Sequence, residues 1–294
     1  MAGSERGHMN QPPNGSPPVV LTVAGFDPSG GAGTAADLKT FAAHNCYGVA
    51  AITALTVQNT QGVTAVYAVE PVQLKECLLS LAADGNLRAV KVGMLANRAN
   101  SEIVAEFLDA NAALPSVLDP VLRSSSGFDL VDIAGLEFLR AALFRRVSLI
   151  TPNLVEASTL SGLKVENVEG MKAAARALVG MGARVAVVTG GHLDRPTDVY
   201  FDGAHLETFA GDHVRPANTH GTGCAFSSAI ASNLALGRNL RDSVMLAKAY
   251  VTEAIRKAYA TGPGRVPLNH FFRAHQQSRG ADYMTVVPEP EPVH

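Results

Sequence analysis

The fold is indicated most clearly by the stretch VVLTVAGFDPSGGAGTAADLKTFAAHN, residues 19–45. Its first seven residues are mostly apolar and predict a buried strand. The glycine-rich residues 27–33 predict a loop, and the apolar spacing over residues 34–45 predicts a helix. A strand, a loop and a helix in this order are typical of an alternating α/β fold.

The same alternation continues along the chain. Near-continuous apolar strands separated by helices indicate a parallel sheet covered on both faces. Further strands are predicted near residues 49–55, 89–92, 116–118, 147–150 and 185–188, and helices at residues 71–83, 100–111, 168–181 and 240–259. Short strands at an antiparallel edge or in a small lid are predicted at residues 63–69, 198–201 and 205–209.

No internal repeat or linker interrupts this pattern, so we expect one domain over residues 19–273. Residues 1–18 are rich in Gly, Pro, Ser and Asn, and residues 274–294 have too little apolar content to pack. We therefore expect a disordered N-terminal tail and a mobile C-terminal tail.

Composition excludes several classes of protein. With 294 residues, 47% hydrophobic and 17% charged, the chain has the make-up of a soluble globular protein. The net charge of -2 without a basic run argues against nucleic acid or a membrane as partner. Cys46, Cys77 and Cys224 form no CxxC pair, which argues against disulfides and zinc. Without an apolar leader or spanning stretch, a cytoplasmic location is expected.

The segment NTHGTGC, residues 218–224, precedes a run of small and apolar residues. Gly221 and Gly223 at the start of a helix predict a nest of backbone N–H groups at the positive end of the helix dipole, a good site for phosphate. Cys224 in the first turn would feel the same dipole, which favours its thiolate.

The loop AGFDPSGGAG, residues 24–33, lies at the carboxyl end of the first strand, where ligands bind in open α/β sheets. A plain tight turn explains its glycines equally well. Residues 31–36 nearly fit a dinucleotide fingerprint, but TVQN at residues 56–59 stands where an acidic residue should follow roughly 20 residues later. An oxidoreductase is therefore disfavoured.

Other polar residues follow strands. Gln58 and Asn59 offer amides for a heterocycle, and Met94 offers an apolar wall, although a turn and a core position explain them as well. Asp119 and Glu156 follow two later strands and suit Mg²⁺ held largely through water, although Glu156 also fits a helix first turn.

Several segments in order closely resemble the bacterial hydroxymethylpyrimidine and phosphomethylpyrimidine kinases of thiamine biosynthesis, within the ribokinase-like superfamily. They are AGFDPSGGAGTAADLKTF, ITALTVQNT, KVGML, DPVL, LITPNLVEA, TGGH and NTHGTGC, and the resemblance covers residues 19–272. It implies a ribokinase-like three-layer α/β/α sandwich with a mostly parallel central sheet, ATP and Mg²⁺ as cofactors, and a homodimer. The implied reaction is phosphorylation of 4-amino-5-hydroxymethyl-2-methylpyrimidine, and then of its monophosphate.

The resemblance also implies roles for individual residues. Gln58 would bind the pyrimidine with Gly25, Asp37 and Met94 around the ring. The anion hole would comprise Gly221, Thr222, Gly223 and Cys224. Asp119 and Glu156 would lie on the metal side, and the nucleotide would be flanked by Asn153, Thr189, Gly191 and Thr219.

The chain departs from the family pattern at two lysines. Similar enzymes read DPVMVAKSG and KGGH, whereas Ser125 and Thr189 stand at the lysine positions here. Mg²⁺ and the anion hole would then stabilise most of the developing charge, unless Arg123 reaches the site.

Superfamily sugar kinases place an aspartate where this chain has Cys224, so a thiolate base for the alcohol step is one hypothesis. Two alternatives to the main function are a pyridoxal kinase, because pyridoxal is also a flat ring with a hydroxymethyl arm, and a weakly catalytic homologue that senses the pyrimidine.

Overall fold

The apolar start of residues 19–45 forms strand β1, Val19–Phe26, and helix α1, Gly33–Ala43, follows the glycine-rich loop. In β1, six consecutive residues are buried because the strand lies inside the sheet between two neighbours. The computed structural model describes residues 15–124, 126–191, 193–216 and 219–273.

A nine-stranded sheet forms the middle layer. Its other strands are β2 Tyr47–Asn59, β3 Gly62–Ala68, β4 Leu87–Val92, β5 Ser116–Leu118, β6 Leu149–Ile150, β7 Ala186–Gly190, β8 Thr197–Phe201 and β9 Leu206–Ala210. Their order is β3-β2-β1-β4-β5-β6-β7-β8-β9, and the six strands from β2 to β7 in this order are parallel. The antiparallel strands β3, β8 and β9 lie at the two edges, as predicted.

Helices cover both faces of the sheet. The remaining helices are α2 Pro71–Ala83, α3 Arg98–Ala110, α4 Ile133–Phe138, α5 Leu154–Ser161, α6 Val168–Gly180, α7 Thr222–Ala235 and α8 Leu240–Arg256. Helices α2 to α6 pack on one face and α1, α7 and α8 on the other, so that two apolar cores flank the sheet. The predicted three-layer α/β/α sandwich with a mostly parallel sheet is confirmed.

A second, two-stranded sheet was not predicted. Strand β10, Thr219–His220, pairs in parallel with β11, Val266–Pro267. Two-residue strands show no hydrophobic periodicity, so the sequence pattern gave no sign of them. This small sheet matters because β10 leads directly into α7.

The predicted tails lie outside the described residues, apart from residues 15–18. Within the described part of the chain, none of the helices combines the length and apolar character that crossing a membrane requires.

Candidate active site

The loops that follow β1, β4, β5, β6 and β7 meet at one edge of the sheet because these strands are parallel. This edge brings together most of the residues singled out from the sequence. The start of α7 lies at the same edge, where Gly223 is close to the residue after β5, Asp119.

The anion nest is formed by backbone geometry. Gly221 has a φ of 80°, and no side chain caps the first turn of α7 among the described residues. A Cβ at Gly221 would overlap the backbone carbonyl of Gly31. Gly223 is exposed, and a Cβ there would lie 3.7 Å from Asp119 Oδ2. The uncapped N–H groups of Thr222, Gly223 and Cys224 therefore suit an anion.

The two glycine-rich loops are joined through Asp27. Its Oδ1 accepts hydrogen bonds from the Ser29 backbone and hydroxyl at 2.8 and 2.7 Å, and its Oδ2 accepts the backbone N–H groups of Gly31 and Ala32. His220 Nε2 lies 3.1 Å from Asp27 Oδ2. The carboxylate thus organises one loop and ties it to the strand before the nest.

Hydrogen bonding dominates the ionisation of Asp27. Burial by itself disfavours the charged form, but hydrogen bonds from His220, Ser29 and Gln58 outweigh burial and hold the pKa of Asp27 well below its usual range. Sequence reasoning did not single out Asp27 or His220 as partners. They are 193 residues apart, and only a histidine beside the nest hinted at the contact.

The residues expected around the ring include Gly25, Met94 and Gln58. Met94 is buried, and its Sδ lies 3.0 Å from where a Cβ on Gly25 would be, so these two residues are adjacent as expected of one ring-binding wall. Gln58 is half-buried, and its side chain lies near Asp27, where it helps to lower the pKa of that carboxyl. The glycine at position 25 keeps the space over Met94 open.

The predicted contact between Asp37 and the ring is wrong. Asp37 is 0% exposed, and both carboxylate oxygens are occupied. Oδ2 accepts from Thr22 at 2.6 Å and Lys91 at 2.8 Å, and Oδ1 accepts from Ser228 at 2.7 Å. The carboxylate lies beneath the site and joins α1 to β1, β4 and α7.

Lys91 is a residue whose role the sequence reasoning missed. Its side chain is 0% exposed and forms an ion pair with Asp37. Burial opposes its charge, but the carboxylates of Asp37 and Asp119 raise the pKa of Lys91 above its usual range. A single lysine within the apolar strand Leu87–Val92 was the available signal, since a buried lysine requires an anionic partner.

The surroundings of Cys224 do not favour the predicted thiolate in the ligand-free protein. Burial is the main cause, and with the neighbouring Asp119 and Asp37 it raises the pKa of the Cys224 thiol to about 12, despite the opposing charge of Lys91. The thiol lies near Asp119 and near the backbone N–H of Gly33. Cys224 is thus a neutral thiol here.

The metal candidates Asp119 and Glu156 are both buried. Asn153 and Glu156 form the capping box of α5: Glu156 N–H donates to Asn153 Oδ1 at 3.0 Å, and Asn153 N–H donates to Glu156 Oε2 at 2.9 Å. Burial and the charge of Asp119 raise the pKa of Glu156 to about 8. The two carboxylates therefore lie close enough to repel each other.

This pair of carboxylates fits a magnesium ion. Oxygen ligands suit Mg²⁺, and a divalent cation would relieve the repulsion between Asp119 and Glu156. No cluster of three or more His, Cys, Asp or Glu side chains suited to a metal occurs in the described part of the chain. Mg²⁺ usually retains several waters, so two protein carboxylates are enough.

The residues expected near the nucleotide lie at two places along the same edge. Thr189 is half-buried, and its N–H donates to Pro152 O at 2.9 Å, which places it beside the bridge partner Asn153. Gly191 is exposed with open space around it. Thr219 is half-buried in β10, directly before the nest.

Two basic residues are candidates to replace the lysines that similar enzymes have at positions 125 and 189. Arg123 lies on the surface, paired with Asp129 at 2.5 Å, with 62% of its side chain exposed. Lys248 of α8 pairs at 2.6 Å with Asp198, whose other oxygen accepts the Gly190 N–H. Lys248 therefore places an ammonium group near the strand end that contains Thr189. Ser125 and His192 lie outside the described residues.

Comparison with known proteins agrees with this geometry. The family model of phosphomethylpyrimidine kinase matches residues 27–269. The chain is 41% identical over 248 residues to the hydroxymethylpyrimidine/phosphomethylpyrimidine kinase of Aquifex aeolicus, covering 84% of this chain and 97% of that protein.

Solved structures show the same fold. The phosphomethylpyrimidine kinase of Clostridium difficile 630 is 37% identical with a TM-score of 0.72, over 81% of this chain and 99% of that one. An ADP complex of Bacillus subtilis pyridoxal kinase is 31% identical with a TM-score of 0.81, over 88% and 100% of the two chains. Since the family model and the Aquifex relative both match most of the sequence, the chain belongs to the phosphomethylpyrimidine kinase family.

Proposed function

We propose that this protein transfers the γ-phosphoryl group of ATP to 4-amino-5-hydroxymethyl-2-methylpyrimidine, and then a second phosphoryl group to the resulting monophosphate, for thiamine biosynthesis. The observation that carries this proposal is the uncapped start of α7, with Asp119 on one side and the Gly31 loop on the other. An exposed nest beside a carboxylate suits a phosphoryl group that bridges a donor and an acceptor.

The acceptor ring would lie against Met94, over the space that Gly25 leaves open. The Gln58 amide would pair with the ring nitrogen and amino group of the pyrimidine, since an amide offers both a donor and an acceptor. Asp27, whose carboxylate lies near the Gln58 side chain, would orient the amide. Asp37 would hold α7 in position from beneath the site, by accepting the hydrogen bond from Ser228.

The phosphates would lie at the nest formed by residues 221–224, and the nucleotide would extend toward Asn153, Thr189, Gly191 and Thr219. Backbone N–H groups aimed at the transferring oxygens stabilise the charge that develops there. Asp119 and Glu156 would hold Mg²⁺, which would neutralise charge on the ATP phosphates. Lys248 would add positive charge near Thr189, where similar enzymes have lysine.

The two transfers differ in the proton they must move. The hydroxymethyl group has to lose a proton, whereas the monophosphate already bears an anionic oxygen near neutral pH. Because Cys224 is neutral, its proposed role is positional, beside Asp119, in both steps.

A coupled assay of ADP release tests the proposal. We expect ATP turnover with hydroxymethylpyrimidine and Mg²⁺, and loss of turnover when EDTA removes the metal. Pyridoxal is the competing substrate, favoured by the similarity to the Bacillus subtilis pyridoxal kinase. A higher kcat/KM for pyridoxal than for the pyrimidine would reverse the assignment, and binding without ADP release would indicate a sensor.

We also propose a cytoplasmic homodimer that does not bind nucleic acid. The three cysteines are free, as in a reducing compartment, and the net charge is -2. Exposed apolar side chains on the β2–β3 hairpin support self-association: Leu55, Val57 and Tyr67 are 49%, 50% and 64% exposed. Light scattering after gel filtration would measure the mass, and a mass of about 31 kDa would contradict the dimer.

A further inference from the structure

The segment after α8 runs back across the site. Residues 262–267, the C-terminal strap, cross the turn that joins β2 to β3. The backbone N–H of Arg265 donates to the carbonyl of Thr60 at 2.7 Å, and the N–H of Gly264 donates to Thr60 Oγ1 at 3.2 Å. Thr60 follows Gln58 by two residues, so the strap is bonded to the end of the hairpin that supplies the ring-binding amide.

Two glycines make this approach possible. A Cβ on Gly264 would overlap the carbonyl of Thr60, and a Cβ on Gly262 would lie 2.9 Å from Thr60 Oγ1. Any side chain at position 264 would push the strap and the hairpin turn apart. The close packing therefore depends on the absence of a side chain, not on a positive φ.

The other end of the strap is joined to the phosphate side. Val266 and Pro267 form β11 and pair with Thr219 and His220 of β10, immediately before Gly221. The following residue, Leu268, is 3% exposed and packs with α7 and α8. The strap is thus anchored in the core directly after it passes the nest.

A small cavity of about 20 Å³ lies where these parts meet. Its lining includes Gln58 of the hairpin, Ser124 of the loop after β5, His220 of β10 and Arg265 of the strap. The hairpin that contains Gln58 and the strand that precedes the nest therefore both meet the strap around this cavity.

We propose that the C-terminal strap is a positioning element that fixes the Gln58 hairpin relative to the anion nest. Gly262 and Gly264 allow the strap to pack closely against the hairpin turn. This inference rests on the proposed kinase function. Phosphoryl transfer requires the acceptor oxygen and the γ-phosphorus to be in line and in contact, so a shift of about 1 Å between the two sides would reduce turnover on the order of 100-fold. Nucleotide binding alone would not need the hairpin.

The test is Gly264→Ala in the full chain, with Gly180→Ala as matched control. Gly180 is the exposed last residue of α6, and a Cβ there meets nothing within 4 Å. For Gly264→Ala we expect at least a tenfold higher KM for hydroxymethylpyrimidine and a lower kcat, while the calorimetric Kd for ADP stays within twofold. Gly180→Ala should match the unmodified protein in all three.

Thr60→Val removes only the Oγ1 acceptor and covers the case in which Gly264→Ala does not fold. It should raise the KM for the pyrimidine by a smaller factor without changing ADP affinity. An unchanged KM in the folded variants, or a parallel loss of pyrimidine and ADP binding, would overturn the positioning role.

Hydrogen exchange separates this inference from the kinase assignment. Backbone amides of residues 58–66 should exchange at least tenfold faster in Gly264→Ala than in Gly180→Ala, whatever the substrate of the enzyme is. Suppose that these amides exchange faster in Gly264→Ala but the protein does not phosphorylate the pyrimidine. This result would reject the kinase function and support the positioning role of the strap. Equal exchange in both variants would reject the strap.

Discussion

Gly221 and Gly31 are in direct backbone contact: a Cβ on Gly221 would overlap the carbonyl oxygen of Gly31. This contact joins the start of α7 to the loop after β1. The proposed phosphate nest and the loop beside the proposed ring site are therefore packed directly against each other, with the Asp27–His220 hydrogen bond next to this contact.

Gly221→Ala tests this contact. We expect kcat to fall by about 100-fold or more, because the nest N–H groups must move away from the phosphate. Gly237→Ala is the matched control: Gly237 has a φ of 82°, close to the 80° of Gly221, but open space around its Cβ position. The control should lose about 1–2 kcal/mol of stability from backbone strain and keep its kcat. Equal kcat values for the two variants would contradict a steric role for Gly31.

The buried ion pair between Lys91 and Asp37 should dominate the stability of this region. Lys91→Met leaves Asp37 without its cation and should lower the free energy of unfolding by about 3–5 kcal/mol in urea titrations. The exposed pair of Lys75 and Glu106 is the control, since Lys75→Met should change stability by less than about 1 kcal/mol. Similar losses of unfolding free energy in Lys91→Met and Lys75→Met would show that the buried pair contributes no more to stability than the exposed pair.

Chemical modification tests the protonation of Cys224. With a pKa of about 12, the thiolate fraction at pH 8 is about one in 10⁴, so iodoacetamide should label Cys224 of the folded, ligand-free protein very slowly. Labelling in urea should be rapid at the same pH. Peptide mass spectrometry gives the labelling rate of this residue. A labelling midpoint near pH 8 in the folded protein would contradict the raised pKa and support a Cys224 thiolate.

Cys224→Ala separates a positional role from a base role. We expect both phosphorylation steps to slow by a similar factor, about tenfold, because the side chain beside Asp119 is lost in each. Cys224→Ser retains a polar side chain of similar size and should lose less. A loss confined to the alcohol step, measured with the two acceptors separately, would support proton removal by Cys224.

Two buried histidines should make stability depend on pH. Burial is the main cause that lowers the pKa of His44 and of His270 to about 4. The unfolded chain therefore binds more protons between pH 6.5 and 4, and stability is lost as the pH falls through this window. Glu156, whose pKa is raised to about 8, acts in the opposite direction, so the contribution of a histidine is measured as the difference between two variants in urea titrations at pH 7, 6 and 5. A His44→Gln variant should decline less steeply, and an identical slope would exclude His44 as a cause.

Much of the fold could be predicted from the sequence. The near-continuous apolar strands predicted the parallel sheet, and helix Pro71–Ala83 and strand Ser116–Leu118 have the predicted bounds. Helix α8 ends at Arg256, before the predicted end at residue 259. The two-residue strands β10 and β11 lack any periodic pattern, and only their pairing across the chain defines them.

The site could be predicted only in outline. Parallel strands place their carboxyl ends together, so the location of Asp119 and Met94 at this edge could be predicted from position alone. The partners of buried charges could not be found in this way: Lys91 and Asp37 are 54 residues apart. The helix dipole predicted a reactive Cys224, but burial and the nearby carboxylates have the larger effect on its pKa.

One site should phosphorylate the pyrimidine twice in succession. Phosphorus NMR of the unmodified protein with ATP, Mg²⁺ and hydroxymethylpyrimidine follows both transfers in one sample. We predict that the pyrimidine monophosphate signal rises first and is then replaced by the two coupled signals of the diphosphate. A monophosphate that accumulates without any diphosphate, or no phosphorylated pyrimidine at all, would contradict two successive transfers.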